Sequence, residues 1–326
     1  MADLSLQSRV NLAEPRLGAE VVYASDEFFA AKERLIDPAE PVFIPDRYDE
    51  HGKWMDGWES RRRRRGGHDH CVVRLGSAAY VEALEIDTRH FTGNYPPQAS
   101  VDVCCSDETL PADRNWQPLV PRIDLEGDHR RALELKESGP WTHLRLNIFP
   151  DGGVARLRVF GRLHPPKPQG DELIDMAAIL NGGAALACND QHYGRLANIL
   201  APGPGLNMGD GWETRRRREP GHDWGVIRLA RPAVLEEVLV DTAWFKGNYP
   251  DRVSLQAAAA PEAIEWSELG RQSAQWPLLL PEQTLAADCQ QQYSSELLDH
   301  EPVQLVRVNL FPDGGISRLR LMGRPG

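Results

Sequence analysis

The chain contains one unusual segment twice, and this repetition limits what it can fold into. Residues 56–64 read DGWESRRRR and residues 210–218 read DGWETRRRR, an offset of 154 residues (212 − 58). The turns GNYP at residues 93–96 and FPDGG at residues 149–153 also recur, the second with an offset of 162 (311 − 149). Solenoid repeats span only ~20–50 residues. The pattern therefore predicts two whole domains, with about eight inserted residues in the second.

The length of the chain agrees with this organisation. A chain of 326 residues corresponds to about two domains of ~150 residues each. We predict a first repeat over residues 10–163 and a second over residues 171–326. Between them, residues 164–170 read HPPKPQG, and prolines of this density favour an extended linker.

The secondary structure is expected to be mostly strand. Residues 142–149 alternate apolar and polar side chains, as a half-buried strand does. The FPDGG turn and the alternating residues 156–159 after it predict a β-hairpin, repeated at residues 307–321. Short helices are expected at residues 26–35, 130–137 and 171–180. Many short strands with turn signals indicate an all-β fold of two tandem jelly-roll-like β-sandwiches.

Charge and cysteine content exclude several classes of protein. The formal net charge of −11 argues against nucleic-acid binding, which requires a basic surface. No apolar run reaches the ~18 residues of a membrane span, and Met1–Val10 lacks the apolar stretch of a secretory signal. The five cysteines are odd in number and form no CxxC pair. We therefore expect a cytoplasmic protein without a disulfide framework or a zinc ribbon.

Each arginine run follows a Trp-Glu pair. The backbone conformation of the run determines which arginine side chains are buried and which are exposed. In a continued strand, Arg62 would share the buried face of Trp58. A buried arginine is costly unless a carboxylate pairs with it. The run must therefore leave the strand early or meet acidic partners such as Asp87 or Asp151. Three uses remain open, namely a solvated or ion-paired face, a polyanion-binding patch and a site for a small carboxylate.

Other repeated residues could act in chemistry or only in turns. A histidine followed by an aspartate occurs after each arginine run, and glycines before the pair suggest a loop. Such a pair could serve in acid–base chemistry, could cap a turn, or could contribute to a metal site, for which no ligand spacing is visible. Asp87 and Asp241 end apolar strands, and Asn94 and Asn248 lie in Gly-Asn-Tyr-Pro turns, where asparagine also suits the backbone.

These motifs resemble one known family, the allantoicases. The resemblance to its first repeat rests on SDEFF at residues 25–29, DGWESRR at residues 56–62 and EIDT at residues 85–88. NDQH at residues 189–192 and GHDW at residues 221–224 resemble its second repeat. The resemblance implies hydrolysis of allantoate to ureidoglycolate and urea in allantoin degradation, a part of purine metabolism. It also implies jelly-roll domains and a homo-oligomer.

The implied substrate fits the residue types that the repeats supply. Protonation of the leaving urea and attack by water need acid–base groups, the carboxylate suits arginine, and the ureido groups suit asparagine and acids. The predicted catalytic residues are Glu59, Glu213, His222, Asp223, His68 and Asp69. The predicted substrate-binding residues are Arg61, Arg215, Asp87, Asp241, Asn94 and Asn248. We predict neither a metal nor a cofactor. The alternative is a non-enzymatic β-sandwich that binds carbohydrate or a small anion.

Overall fold

The structure of the chain, a computed structural model, describes residues 10–164, 172–259 and 268–326. The chain divides into two compact units, residues 1–165 and 166–326. Nearly all regular structure in the described residues is strand, which confirms the all-β prediction of two repeated sandwiches. The exact predicted limits, residues 10–163 and 171–326, stay a prediction. The predicted linker lies outside the described residues from residue 165 onward.

The first unit has one long sheet and two small ladders among its described residues. Its strands are β1 (Val10–Asn11), β2 (Glu20–Ala24), β3 (Tyr48–Asp49), β4 (Gly52–Lys53), β5 (Trp58–Glu59), β6 (Asp69–Asp87), β7 (Gln98–Cys104), β8 (Gln117–Asp124), β9 (Arg130–Phe149), β10 (Gly153–Val154) and β11 (Arg156–Leu163). Its short 3-10 helices are Pro15–Leu17, Lys32–Ile36 and Asp113–Asn115.

Strand β6 is the centre of the first unit. The sheet order is β1-β11-β6-β9-β7-β8, and β2 pairs with the first part of β6. Strand β9 runs antiparallel along β6, from Asp69 opposite Ile148 to Asp87 opposite Arg130. Register shifts between residues 74 and 83 interrupt this ladder, and such bulges bend and twist a strand. The small ladders are β5–β10 and β3–β4.

The second unit repeats this plan with altered lengths. Its strands are β12 (Ile174–Asp175), β13 (Ala184–Cys188), β14 (Trp212–Glu213), β15 (Asp223–Asp241), β16 (Arg252–Ala258), β17 (Leu278–Thr284), β18 (Gln290–Tyr293), β19 (Val303–Phe311), β20 (Gly315–Ile316) and β21 (Arg318–Pro325). Strand β15 replaces β6 as the centre, with β21 and β19 on either side of it. Two strands, β18 and β19, pair with β15 where the first unit has the single strand β9.

Helices are few and short within the described part of the chain. The second unit has the 3-10 helices Ile179–Asn181, Leu196–Leu200 and Met208–Asp210 and one α-helix, α1 (Leu269–Ser273). Helix α1 lies between β16 and β17, where the second repeat carries most of its inserted residues. Among the described residues, no helix has the length and apolar character needed to cross a membrane.

The core packs around one tryptophan and one phenylalanine in each unit. Trp58 and Phe91 in the first unit, like Trp212 and Phe245 in the second, are 0% exposed. Gly153 in β10 lies against the Phe91 ring, and a Cβ there would come within 2.0 Å of Phe91 Cε1. Glycine is therefore required at this position for the small ladder to approach the core.

Several local predictions were wrong. The strands on either side of each FPDGG turn do not form a hairpin, because β9 and β11 both pair with β6 and lie on its opposite sides. The turn instead leads into β10, which pairs with β5. Residues 130–137 are part of strand β9, because pairing with β6 along its full length outweighs local helix propensity. In place of a helix at residues 26–35, only Lys32–Ile36 is 3-10, and residues 172–180 begin with strand β12.

Candidate functional site

The Trp-Glu pair of each repeat places the glutamate carboxyl group on the side of the strand that faces away from the buried tryptophan. Trp58 in β5 is buried, and its Nε1 donates to the carbonyl of Asp26 at 2.8 Å. Trp212 makes the same bond to the carbonyl of Asp190, also at 2.8 Å. Because successive side chains on a strand alternate, Glu59 points away from its tryptophan, and it lines a cavity on that side.

Glu59 and Asn94 form a hydrogen-bonded pair at the wall of the first cavity. Asn94 Nδ2 donates to Glu59 Oε1 at 2.7 Å, and Glu59 is only 9% exposed. Burial raises the pKa of Glu59, and the Asn94 hydrogen bond lowers it by a smaller amount. The cavity holds about 430 Å³. Its lining consists of Phe29, Phe43, His51, Gly52, Lys53, Met55, Glu59, His90, Thr92, Asn94 and Asp128.

The second unit contains the corresponding pair. Asn248 Nδ2 donates to Glu213 Oε1 at 2.5 Å, and Glu213 is half-buried. The neighbouring cavity holds about 520 Å³ and has a different lining: Tyr193, Glu213, Thr214, Arg216, Gly247, Asn248, Tyr249, Asp251, Pro312, Asp313 and Gly314. The structure thus brings each predicted catalytic glutamate together with a predicted substrate-binding asparagine at a cavity, although 35 residues separate the partners in sequence.

The first arginine run leaves strand geometry immediately after Glu59. Ser60, directly after the strand, exchanges hydrogen bonds with Gly152. The following residues, 61–67, are exposed. Arg61 then pairs with Asp26, its Nε lying 2.8 Å from Oδ2. Of the two alternatives left open by the sequence, the early exit from the strand is the one that the structure has. The predicted acidic partner Asp151 is present too, but it accepts from the backbone N–H of Arg63 at 2.6 Å.

The second arginine run follows the same course. Arg215 Nε lies 3.1 Å from Asp190 Oδ2, and its side chain is 75% exposed. Arg217 donates from its backbone N–H to Asp313 Oδ2 at 2.9 Å. Arg61 and Arg215 are therefore already paired with carboxylates, and neither lines the cavity of its Glu–Asn pair. Arg216, one residue further along, lines the second cavity instead.

The predicted His-Asp pairs do not bond internally. His68 Nε2 lies 3.3 Å from Asn147 Oδ1, and Asp69 accepts from Arg63 Nη1 at 2.5 Å. In the second unit His222 Nε2 lies 3.1 Å from Asn309 Oδ1. Burial lowers the pKa of His222, so its neutral form is favoured near pH 7. The neighbours in sequence point apart because the aspartate of each pair begins a long strand.

Asp223 lines a third cavity, in which arginines predominate. The cavity holds about 530 Å³ and is lined by Asn189, Asp190, Arg215, Arg216, Arg217, Arg218, Glu219 and Asp223. Asp223 is 2% exposed, and its Oδ1 accepts from Asn189 and Arg217. Its Oδ2 has no hydrogen-bond partner in the part of the chain that the structure describes. This oxygen can accept one further N–H or O–H donor.

Asp87 and Asp241 are not brought to any of these cavities. Asp87 is 1% exposed and accepts from Arg89 Nε at 2.9 Å. Asp241 is equally buried and accepts from the backbone N–H of Ala243 and from Gln290 Nε2, at 2.7 and 2.8 Å. Both carboxylates thus stabilise the loop after their strand, in agreement with the turn interpretation of these residues.

Sequence reasoning missed several residues of the first cavity. His51 and Lys53 come from the β3–β4 ladder, which the second repeat lacks, and His90 occupies the position of Trp244. A search restricted to repeated residues could not find them. In the described residues, no three His, Cys, Asp or Glu side chains are arranged to hold a metal ion.

Comparison with known proteins identifies the family. The sequence profile described as Allantoicase repeat matches residues 10–164 and again residues 174–326. The chain belongs to the allantoicase family. A protein of Burkholderia pseudomallei named probable allantoicase 2 is 53% identical, with 96% of this chain and 94% of that protein covered. A probable allantoicase of Photobacterium profundum is 51% identical over 98% of each chain.

A solved structure of the allantoicase family has the same fold. The crystal structure of allantoicase from Saccharomyces cerevisiae superposes with a TM-score of 0.82 at 33% identity, covering 98% of this chain and 95% of that one. The likeness therefore extends over both repeats. Family membership across the whole chain does not favour the alternative of a non-enzymatic binding protein.

Proposed function

We propose that the buried Glu–Asn pairs are where this member of the allantoicase family cleaves its substrate. The reaction is the hydrolysis of allantoate to ureidoglycolate and urea in allantoin degradation, a C–N bond cleavage in a linear amidine, as family membership supports. The observation that supports the site is the cavity-lining carboxyl group held by an asparagine in both units.

The chemistry of the substrate explains why such a pair is suited to the reaction. The central carbon of allantoate carries a carboxylate and two ureido groups, and one C–N bond to a ureido nitrogen must break. Urea leaves readily only when that nitrogen is protonated, so a general acid is required. Glu59 fits this role because burial raises its pKa and favours the protonated form. Asn94 occupies Oε1, so Oε2 remains to carry the proton.

The remaining predicted residues are assigned from the cavities that they line and the contacts that they make. Glu213 with Asn248 is the second candidate for proton transfer, with Arg216 as a cation in the same cavity. We propose that Arg61 and Arg215 orient the adjoining loops through Asp26 and Asp190, and that Asp87 and Asp241 support the loops that carry the asparagines. His68, Asp69 and His222 are proposed to act through the asparagine and arginine contacts described above.

The arginine-lined cavity is the second candidate location for the substrate in the second unit. Its unpartnered Asp223 oxygen could accept a ureido N–H, and its arginines could bind a carboxylate. Arg216 lines this cavity as well as that of Glu213. Asp223→Asn therefore tests this location independently of the Glu–Asn pair.

Three further features of the function are proposals. All five cysteines are free, which supports a reducing, cytoplasmic location. A homo-oligomer is proposed from the family resemblance. We propose that neither a cofactor nor a metal takes part, and assay after exhaustive treatment with a chelator tests the second of these statements.

The decisive experiment measures urea release from allantoate by the parental protein and by the double variant Glu59→Gln/Glu213→Gln. We expect the parental protein to release urea and the double variant to lose at least ~100-fold in kcat, since acid–base assistance contributes ~10²–10⁴-fold. An unchanged melting temperature shows that the double variant is folded. Parental turnover in that variant would refute the site, and absence of urea release from the parental protein would refute the reaction.

A further inference from the structure

The first repeat contains an insert that the second repeat lacks. Between the 3-10 helix Lys32–Ile36 and Trp58 the chain has 21 residues (37 to 57), whereas between Leu196–Leu200 and Trp212 it has 11 (201 to 211). The extra residues include the β3–β4 ladder, in which Tyr48 pairs with Lys53 and Asp49 with Gly52. The corresponding part of the second unit has only the 3-10 turn Met208–Asp210.

The insert is anchored and is positioned over the Glu59 cavity. Trp54, directly after β4, is 9% exposed, and its backbone N–H donates to the carbonyl of Arg47 at 3.0 Å. The Arg47 guanidinium lies 4.1 Å from the centre of the Trp54 ring, a cation–π contact. The ladder then directs His51, Gly52 and Lys53 to the cavity lining.

Lys53 brings an unneutralised positive charge to this cavity. Its Nζ lies 4.4 Å from the centre of the Phe43 ring, and among the described residues no carboxylate lies within ion-pair distance of it. Asp128, the other acid of the lining besides Glu59, accepts from the backbone N–H of His90 at 2.8 Å. The first cavity therefore offers a cation that an anionic ligand can reach.

We infer that Lys53 binds the carboxylate of the substrate in the first cavity and selects anionic ureides over neutral ones. This inference rests on the proposed function and adds the residue that recognises the substrate's charge. Neither arginine predicted for this task lines a Glu–Asn cavity, and Arg61 in the same unit is already paired with Asp26. An ammonium on a flexible stem can reach a single carboxylate in the cavity that Lys53 lines.

The test compares two inhibitors that differ in one charge. Hydantoate carries one ureido group and a carboxylate, and its primary amide carries the same ureido group without the charge. We expect Lys53→Met to weaken inhibition by hydantoate roughly 10- to 100-fold, the range for a hydrogen bond to a charged group. Inhibition by the amide should change less than about twofold. KM for allantoate should rise in parallel with the hydantoate constant, and kcat should change far less.

Two further variants complete the test. Lys53→Arg should recover most of the hydantoate affinity because it retains the charge. Lys136→Met removes an exposed lysine of β9 as a matched control and should behave as the parental protein. Equal affinities of Lys53→Met and the parental protein for hydantoate would overturn the inference, and so would equal weakening of both inhibitors. Calorimetry with hydantoate measures this affinity without turnover, so failure of the inference is distinguishable from failure of the proposed reaction.

Discussion

The two units place the same Glu–Asn pair in two different surroundings. In the first, Glu59 is 9% exposed beside Lys53, His51 and two phenylalanines. In the second, Glu213 is half-buried and shares its cavity with Asp251, Asp313 and Arg216. Asp251 is itself paired with Arg252. A duplicated motif thus fixes the position of a side chain, whereas residues outside the motif make up most of the lining of each cavity.

The largest expected effect separates the two glutamates. Glu59→Gln should lower kcat for allantoate by roughly 10²–10⁴-fold, because a buried acid is replaced by an amide that cannot donate the same proton. Glu213→Gln should lower kcat by less than about tenfold, since its cavity has a more acidic lining for an anionic substrate. Urea release under saturating allantoate measures both. Equal losses of kcat in the two variants would show that the repeats contribute equally to turnover. The proposed difference between the two sites would then be wrong.

A second prediction concerns a buried arginine–aspartate ion pair that both units contain. Arg156 and Arg318 are each 1% exposed and donate to the equivalent partners Asp56 and Asp210, with Nη2–Oδ2 distances of 2.9 and 2.7 Å. Replacing either with Met removes the arginine that pairs with a largely buried carboxylate, 11% exposed for Asp56 and 6% for Asp210. The loss should cost about 3–5 kcal/mol in the free energy of unfolding. Urea denaturation should give matching losses for the two variants. Losses that differ by more than ~2 kcal/mol would mean that the scaffolds are not equivalent.

The pH dependence tests the protonation of Glu59. Burial raises its pKa, so kcat should fall as pH rises through that raised value and the proton donor is lost. Asn94→Leu removes a donor that lowers the pKa, so the decline of kcat should move to higher pH. A kcat–pH profile measures this, with Asn248→Leu as the matched variant of the second unit. A profile that moves to lower pH in Asn94→Leu would contradict the assignment of Glu59 as acid.

The smallest expected effect is on stability in mild acid. Burial lowers the pKa of His222 in the folded state below its unfolded value of about 6.5. The unfolded chain therefore binds the proton first, and stability present above that pH is lost as pH falls through the folded pKa. His222→Gln should remove this part of the dependence, an effect below about 1 kcal/mol. Unfolding free energies compared between about pH 7.5 and pH 5 measure it.

The sequence predicted those parts of the fold and site that depend on repeated local patterns. The tandem sandwiches follow from the repeat, and the placement of Glu59 opposite Trp58 follows from strand alternation. The early end of the strand at Ser60 was one of two alternatives that the sequence left open. The sheet order did not follow, because β9 and β11 both pair with β6, whose residues lie between 43 (130 − 87) and 84 (163 − 79) positions earlier in the chain. Lys53 was missed because it lies in an insert that only the first repeat has.

The long central strands determine how each unit opens to solvent. Strand β6 carries β2 along its first part and β11 along its last, with β9 beside it throughout. Releasing any of these neighbours exposes the backbone of β6, so amide hydrogens of residues 69–87 should exchange with deuterium only when the entire unit unfolds. Exchange along β6 therefore reports the global opening of the first unit, and exchange along β15 reports that of the second.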